Sequence, residues 1–186
     1  MSFKLYLEFL SIFSTFLLLI YLLVQSNFEF KPFKDLVACL VGSILKFFGR
    51  VARQGNYLIF LSNQRLYQFE ITFDSTGWKA LLLIAALGLS TSIFKLKERF
   101  KFLLVAIPLI FLINLIRIVS TILIATSYGT KAFLEWHELL WSNFFILSIF
   151  LVWIGWIFFK IFGIKKFICS KEYLIKHVRR KFGRKV

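Results

Sequence analysis

Cysteine, histidine and acidic residues are scarce in this chain. Its 186 residues include two cysteines and two histidines, and nine Asp and Glu residues stand against 24 Lys and Arg. Cys39 and Cys169 lie far apart, on opposite sides of the membrane in the topology predicted below, and neither has neighbours at metal-ligand spacing. We therefore expect no disulfide, no metal site and no cofactor, and two thiols that act as ordinary small apolar side chains.

Polar surface is also scarce, which excludes a large soluble domain. Apolar residues make up 59% of the chain and 25 residues are Phe, whereas soluble domains are about 45–50% apolar. The formal charge of +15 lies mostly beside apolar runs, which is typical of membrane topology and not of a nucleic-acid interface. We predict a single-domain integral membrane protein that does not bind nucleic acid.

Four apolar runs predict about four transmembrane helices, at residues 9–24, 77–94, 102–125 and 139–162. Their lengths are close to the roughly 20 residues that a helix needs to cross a bilayer. The first run is also compatible with a signal peptide, but no small-residue cleavage pattern follows it, so we favour a helix. A shorter amphipathic stretch at residues 33–48 predicts an interfacial helix or a fifth span.

A small β-hairpin is predicted in the loop of residues 26–76. Apolar and polar residues alternate at Tyr67, Phe69, Ile71 and Phe73, after a polar turn, and a period of two indicates a strand. The fold class is therefore an all-α membrane protein of about four transmembrane helices, possibly five, with a small extracytoplasmic β-hairpin.

Basic residues orient these helices in the cell membrane. The connector at residues 95–101 and the tail at residues 163–186 are rich in Lys and Arg, which predicts that both are cytoplasmic. The tail should also bind anionic membrane lipids. Both termini then lie inside, and the loop of residues 26–76 lies outside. Several basic residues in that loop oppose the rule, but they are spread along a long loop, where the bias is weak.

Two of the predicted helices carry polar residues in their outer halves. Arg117 lies within the third apolar run, where a charge costs about 2.5–3.5 kcal/mol on insertion scales. Asn114 precedes it by one turn and shares its helix face. His137 begins the fourth run, with Glu135 and Glu138 beside it, and either acid can fix its tautomer. The alternatives are an interhelical hydrogen bond for the first pair and an ordinary interfacial histidine.

The residues Asp74, Ser75, Thr76 and Gly77 join the predicted hairpin to the second apolar run. They place a hydroxyl and unpaired backbone N–H groups at a helix start, which is suited to an oxyanion or a phosphate. The alternative is a simple N-cap. Because the topology brings this turn to the same outer face as the other candidates, we favour a functional site.

These motifs together resemble the exosortase and archaeosortase family of membrane transpeptidases, over residues 54–159. The family's Cys-Ser/Thr-Gly motif, its Asn-x-x-Arg-Ile motif and the His of its last helix correspond here to residues 75–77, residues 114–118 and His137. The main departure is Ser75 in place of the catalytic Cys, for which the upstream Cys39 cannot substitute.

The resemblance implies a protein-sorting peptidase or transpeptidase whose site faces outside. Ser75 would be the nucleophile and His137 its base, and Arg117 would stabilise the oxyanion or the substrate. Supporting roles are implied for Asn114, Asp74, Thr76, Gly77, Glu135 and Glu138.

The implied substrate is an exported protein that ends in a short motif, a hydrophobic helix and a basic cluster. It would be cleaved near the motif and passed to a lipid, a similar acceptor or water. Two alternatives stay open: a catalytically silent relative that binds a membrane substrate, and a small transporter or membrane-assembly subunit.

Overall fold

The computed structural model describes the backbone of residues 3–62, 65–138 and 144–182. Side chains are described for the same residues, apart from those at 62, 130, 132–134, 136–138 and 164–182. Most of the chain is helical. The elements, in chain order, are α1 (Phe3–Gln25), α2 (Lys31–Leu45), β1 (Arg50–Gln54), β2 (Tyr57–Ser62), β3 (Arg65–Glu70), a 3₁₀ turn (Asp74–Thr76), α3 (Trp78–Ser90), α4 (Leu96–Glu138) and α5 (Phe145–Phe182).

Three helices within the described residues are long and apolar enough to cross a membrane: Phe3–Gln25, Leu96–Gly129 and Phe145–Gly163. The predicted all-α membrane class is confirmed. α3 is equally apolar but has 13 residues, fewer than the predicted run at 77–94. It ends where the hydroxyls of Ser90 and Thr91 bond back to the carbonyls one turn earlier, a competition with helix hydrogen bonds that Ser and Thr favour.

At one end of the helices lies a three-stranded antiparallel sheet with the order β1-β2-β3. β2 and β3 form the predicted hairpin, with Phe60 opposite Tyr67. β1 pairs with β2 and is an addition that the sequence pattern did not predict. α2 packs on β1, β2 and α4, so the apolar face of this amphipathic helix is buried in the protein.

α4 is shared by two apolar cores. The part nearer the sheet, including Leu115, Ile118, Val119 and Ile122, packs with α2 and the sheet. The N-terminal part packs with α3 and α5. A polar residue on the α4 face that the sheet and α2 cover is therefore enclosed by protein.

Ion pairs join the helices at the end of the bundle opposite the sheet. The guanidinium of Arg99, which is 8% exposed, donates to the carbonyls of Phe94 and Leu89 and to Glu8 Oε1 at 3.3 Å. Lys160 Nζ lies 3.1 Å from Glu98 Oε1. The start of α1, the connector before α4 and the middle of α5 therefore meet at one end of the bundle.

Candidate active site

Ser75 lies on the 3₁₀ turn that joins the sheet to α3. Its hydroxyl donates to the carbonyl of Thr72 at 2.8 Å and accepts from the Thr72 hydroxyl at 3.2 Å. The neighbouring Thr76 is fully buried, and its hydroxyl donates to the carbonyl of Phe73 at 2.6 Å. Thr76 thus anchors the turn from inside, while the half-buried Ser75 presents its hydroxyl at the surface.

The simple N-cap alternative for this turn does not hold. The N-cap residue of α3 is Gly77, and no side chain caps the helix. Gly77 has φ +79°, and a Cβ atom there would lie 2.8 Å from Cγ of Asn114. Both the left-handed backbone and the close approach of Asn114 therefore require glycine.

Asn114 and Arg117 hold the turn from α4. The Asn114 amide nitrogen donates to the carbonyls of Ser75 at 3.2 Å and Thr76 at 2.9 Å. Arg117 Nη2 donates to the same Ser75 carbonyl at 3.0 Å. Both side chains are buried, with exposed fractions of 1% and 6%. The two side chains share one face of α4, and both donate to the carbonyl oxygen of Ser75. These bonds hold the Ser75 backbone in place, and with it the position from which the hydroxyl projects.

A small pocket of about 90 Å³ lies beside this arrangement. Ser75 and Arg117 both line it, together with Glu70 and Thr121 and apolar residues of β3 and α4. The guanidinium carbon of Arg117 lies 5.1 Å from the centre of the Phe145 ring, a distance at which a cation is attracted to an aromatic face. The start of α5 thus also packs against the site.

A larger recess of about 350 Å³ lies beside the same turn, between the end of α1 and the start of α3. Asp74 lines it and pairs with Lys79 at 2.9 Å. Asp74 therefore lines the larger recess and does not line the smaller pocket.

The predicted residues of the last loop are placed only in part. α4 is interrupted at Gly129, whose φ and ψ are 84° and −179°, and the backbone of residues 130–138 follows this break. Glu135 is exposed. The side chains of His137 and Glu138 lie outside the described residues.

The residues that sequence reasoning missed are Thr72, three positions before Ser75, and Thr121, one turn after Arg117.

Replacing Gly77 by alanine should lower the thermal unfolding midpoint in mild detergent and remove any activity of the site. Left-handed backbone costs a residue with a Cβ about 1–2 kcal/mol, and the new methyl group would also displace the Asn114 amide. The matched control is Gly155→Ala in α5, where an added Cβ meets no atom within 4 Å. Equal midpoints for the two variants would contradict the packing described here.

Comparison with known protein families identifies a family for this chain. A family model described as transmembrane exosortase matches residues 7–154, which is well over half of the chain. The matched range contains the turn at Ser75, both α4 residues that hold it, and His137. No curated protein and no solved structure matches significantly.

Proposed function

The chain belongs to the transmembrane exosortase family, and we propose that it cleaves the C-terminal sorting signal of exported proteins, with Ser75 as the nucleophile. The observation that supports this most is the double fixation of the Ser75 carbonyl by Asn114 and Arg117. Two buried donors hold one backbone atom of a turn whose hydroxyl borders a pocket. Preorganisation of this kind is what a reacting group needs.

The proposed reaction is an acyl transfer in two steps. The Ser75 oxygen attacks the carbonyl carbon of the scissile peptide bond, and its proton passes to His137. The C–N bond then breaks, and the leaving amine takes that proton. The acyl group remains on Ser75 as an ester, until a hydroxyl or amine acceptor, or water, attacks it and Ser75 regains a proton. A serine hydroxyl needs this base at the moment of attack, whereas a thiol is more easily ionised.

Arg117 would have two roles in this reaction. Its bond to the Ser75 carbonyl positions the nucleophile, and its charge, which lies in the pocket wall next to Ser75, would stabilise the tetrahedral oxyanion. A fixed cation in a site with little water stabilises developing negative charge strongly. Backbone N–H groups near Gly77 would assist.

We also propose a membrane topology, from the ion pairs between the helices and the positions of the basic segments. The ion pairs of Arg99 and Lys160 gather the start of α1, the connector and the middle of α5 at one end of the bundle, and Ser75 lies at the other. With the basic connector inside, both termini are cytoplasmic and the site opens outside. The helical tail would bind anionic lipid, and α3 would complete four spans.

His137 provides the test of the base. The protein is co-expressed with a sorting-signal protein from the same genome, and processing is followed by immunoblot. His137→Ala should reduce processing by about 10²–10⁴-fold, the usual contribution of a general base. His177→Ala, which changes the other histidine, should have no effect.

Processing that survives His137→Ala would contradict the assigned base. If no substrate is processed but one co-purifies with the protein, the catalytically silent alternative is favoured instead.

A further inference from the structure

The pocket that Ser75 shares with Arg117 is small. Its volume is about 90 Å³, whereas a cavity of about 150 Å³ is known to hold a benzene ring. The space beside the nucleophile therefore favours a small aliphatic or hydroxyl side chain over an aromatic one.

Rigid walls keep this pocket small. Ile71, Ile118 and Ile122 line it, and each is also a buried member of the core between α2, the sheet and α4, with exposed fractions of 3%, 7% and 3%. Side chains in such cores are close-packed and have little room to move aside. The pocket therefore cannot widen around a larger group without disturbing this core between α2, the sheet and α4.

Arg117 would attract an anion, but the other residues that line the pocket offer little to a charged group. The Thr121 hydroxyl already donates to the carbonyl of Arg117 at 2.7 Å. Glu70 is exposed, and its carboxylate accepts from the Asn56 amide at 3.2 Å. The remaining surface comes from the isoleucines and Phe69. An uncharged small side chain matches this lining.

The larger recess cannot serve the same purpose. Thr72 lines it, but Ser75 is not among its lining residues. In the acyl-enzyme, the residue esterified to Ser75 must place its side chain directly beside that serine. The small pocket offers space there, with Ser75 in its wall.

We infer, on the basis of the proposed function, that this small pocket selects the acyl residue of the substrate, the one whose carbonyl Ser75 attacks. It favours small uncharged side chains over aromatic ones. Ile122 lines the pocket from α4, one turn beyond Ile118, and is the residue through which this preference is tested.

The test compares two substrates that differ only at the acyl residue, which is located by mass spectrometry of the processed fragment. Wild type should process the Ala substrate at least about tenfold better than the Phe substrate, since a pocket discriminates by about 10–200-fold for one methylene. Ile122→Ala should raise the Phe-to-Ala processing ratio by about tenfold. Ile122→Val is a milder variant with a smaller shift in the same direction.

The matched control is Val119→Ala, which removes volume from the same core and helix at a position that does not line the pocket. Its ratio should equal that of wild type. An unchanged ratio in both Ile122 variants, with the Ala substrate still processed, overturns this inference and leaves the proposed function standing. Failure to process any substrate, or processing that survives Ser75→Ala, overturns the proposed function and with it this inference.

Discussion

Replacing Ser75 by alanine should abolish processing of the sorting-signal substrate without lowering the amount of enzyme in the membrane. Loss of a nucleophile that acts with its base costs far more than 10³-fold, up to about 10⁶-fold. Among the described residues, the Ser75 hydroxyl bonds to Thr72 within its own turn, and a hydrogen bond contributes about 0.5–1.5 kcal/mol to stability. The turn should therefore stay folded. Immunoblots of enzyme and substrate from the same cells measure both quantities.

Ser75→Cys distinguishes a nucleophile from a residue that merely supports the turn. The thiol can carry out the same attack, so processing should persist and become sensitive to a thiol-alkylating reagent. Wild type contains Cys39 and Cys169 but should stay insensitive. Ser92→Ala is the control for loss of a serine hydroxyl, since Ser92 Oγ bonds within its own turn near the other end of α3. Undiminished processing in Ser75→Ala would exclude the nucleophile role.

The second large effect is expected at Arg117. Arg117→Met removes both the donor to the Ser75 carbonyl and the charge beside the pocket. Removal of one oxyanion donor usually costs about 10²–10³-fold in rate, and we expect a loss of at least that size. The Ser75 carbonyl keeps a hydrogen-bond donor in this variant, because Asn114 still donates to it.

Two further variants sharpen this prediction. Arg117→Lys keeps the charge but loses the planar fork of donors, and should retain only part of the activity. Arg65→Met removes an exposed arginine from the start of β3 and should process the substrate normally. If Arg117→Met were fully active, Arg117 would be a structural residue alone. If it failed to accumulate, Arg117→Lys would separate folding from reaction.

The membrane helices could be predicted from the sequence because long apolar runs are a strong signal. The extent of α3 could not be predicted, since its end depends on hydroxyls that compete for helix carbonyls. β1 was missed because Arg50–Gln54 is mostly polar and exposed and lacks the alternation that indicates a strand. It is held by pairing with β2, which is a tertiary contact.

Part of the candidate site was also predictable. The spacing of Asn114 and Arg117 places both on one helix face, and they do share a partner. The shared partner is the backbone carbonyl of Ser75 and not its hydroxyl. This depends on how closely the turn packs against α4. Spacing along a helix carries no information on that packing. The roles of Ser75, Arg117 and His137 remain predictions.

The most direct test of the nucleophile is a search for the acyl-enzyme itself. Wild type is incubated with substrate in detergent, quenched in acid, digested and analysed by mass spectrometry. We predict a peptide in which Ser75 carries the acyl fragment of the substrate through an ester that hydroxylamine cleaves. The account would be contradicted if the substrate were processed while Ser75 stayed unmodified and the acyl fragment were found on another residue.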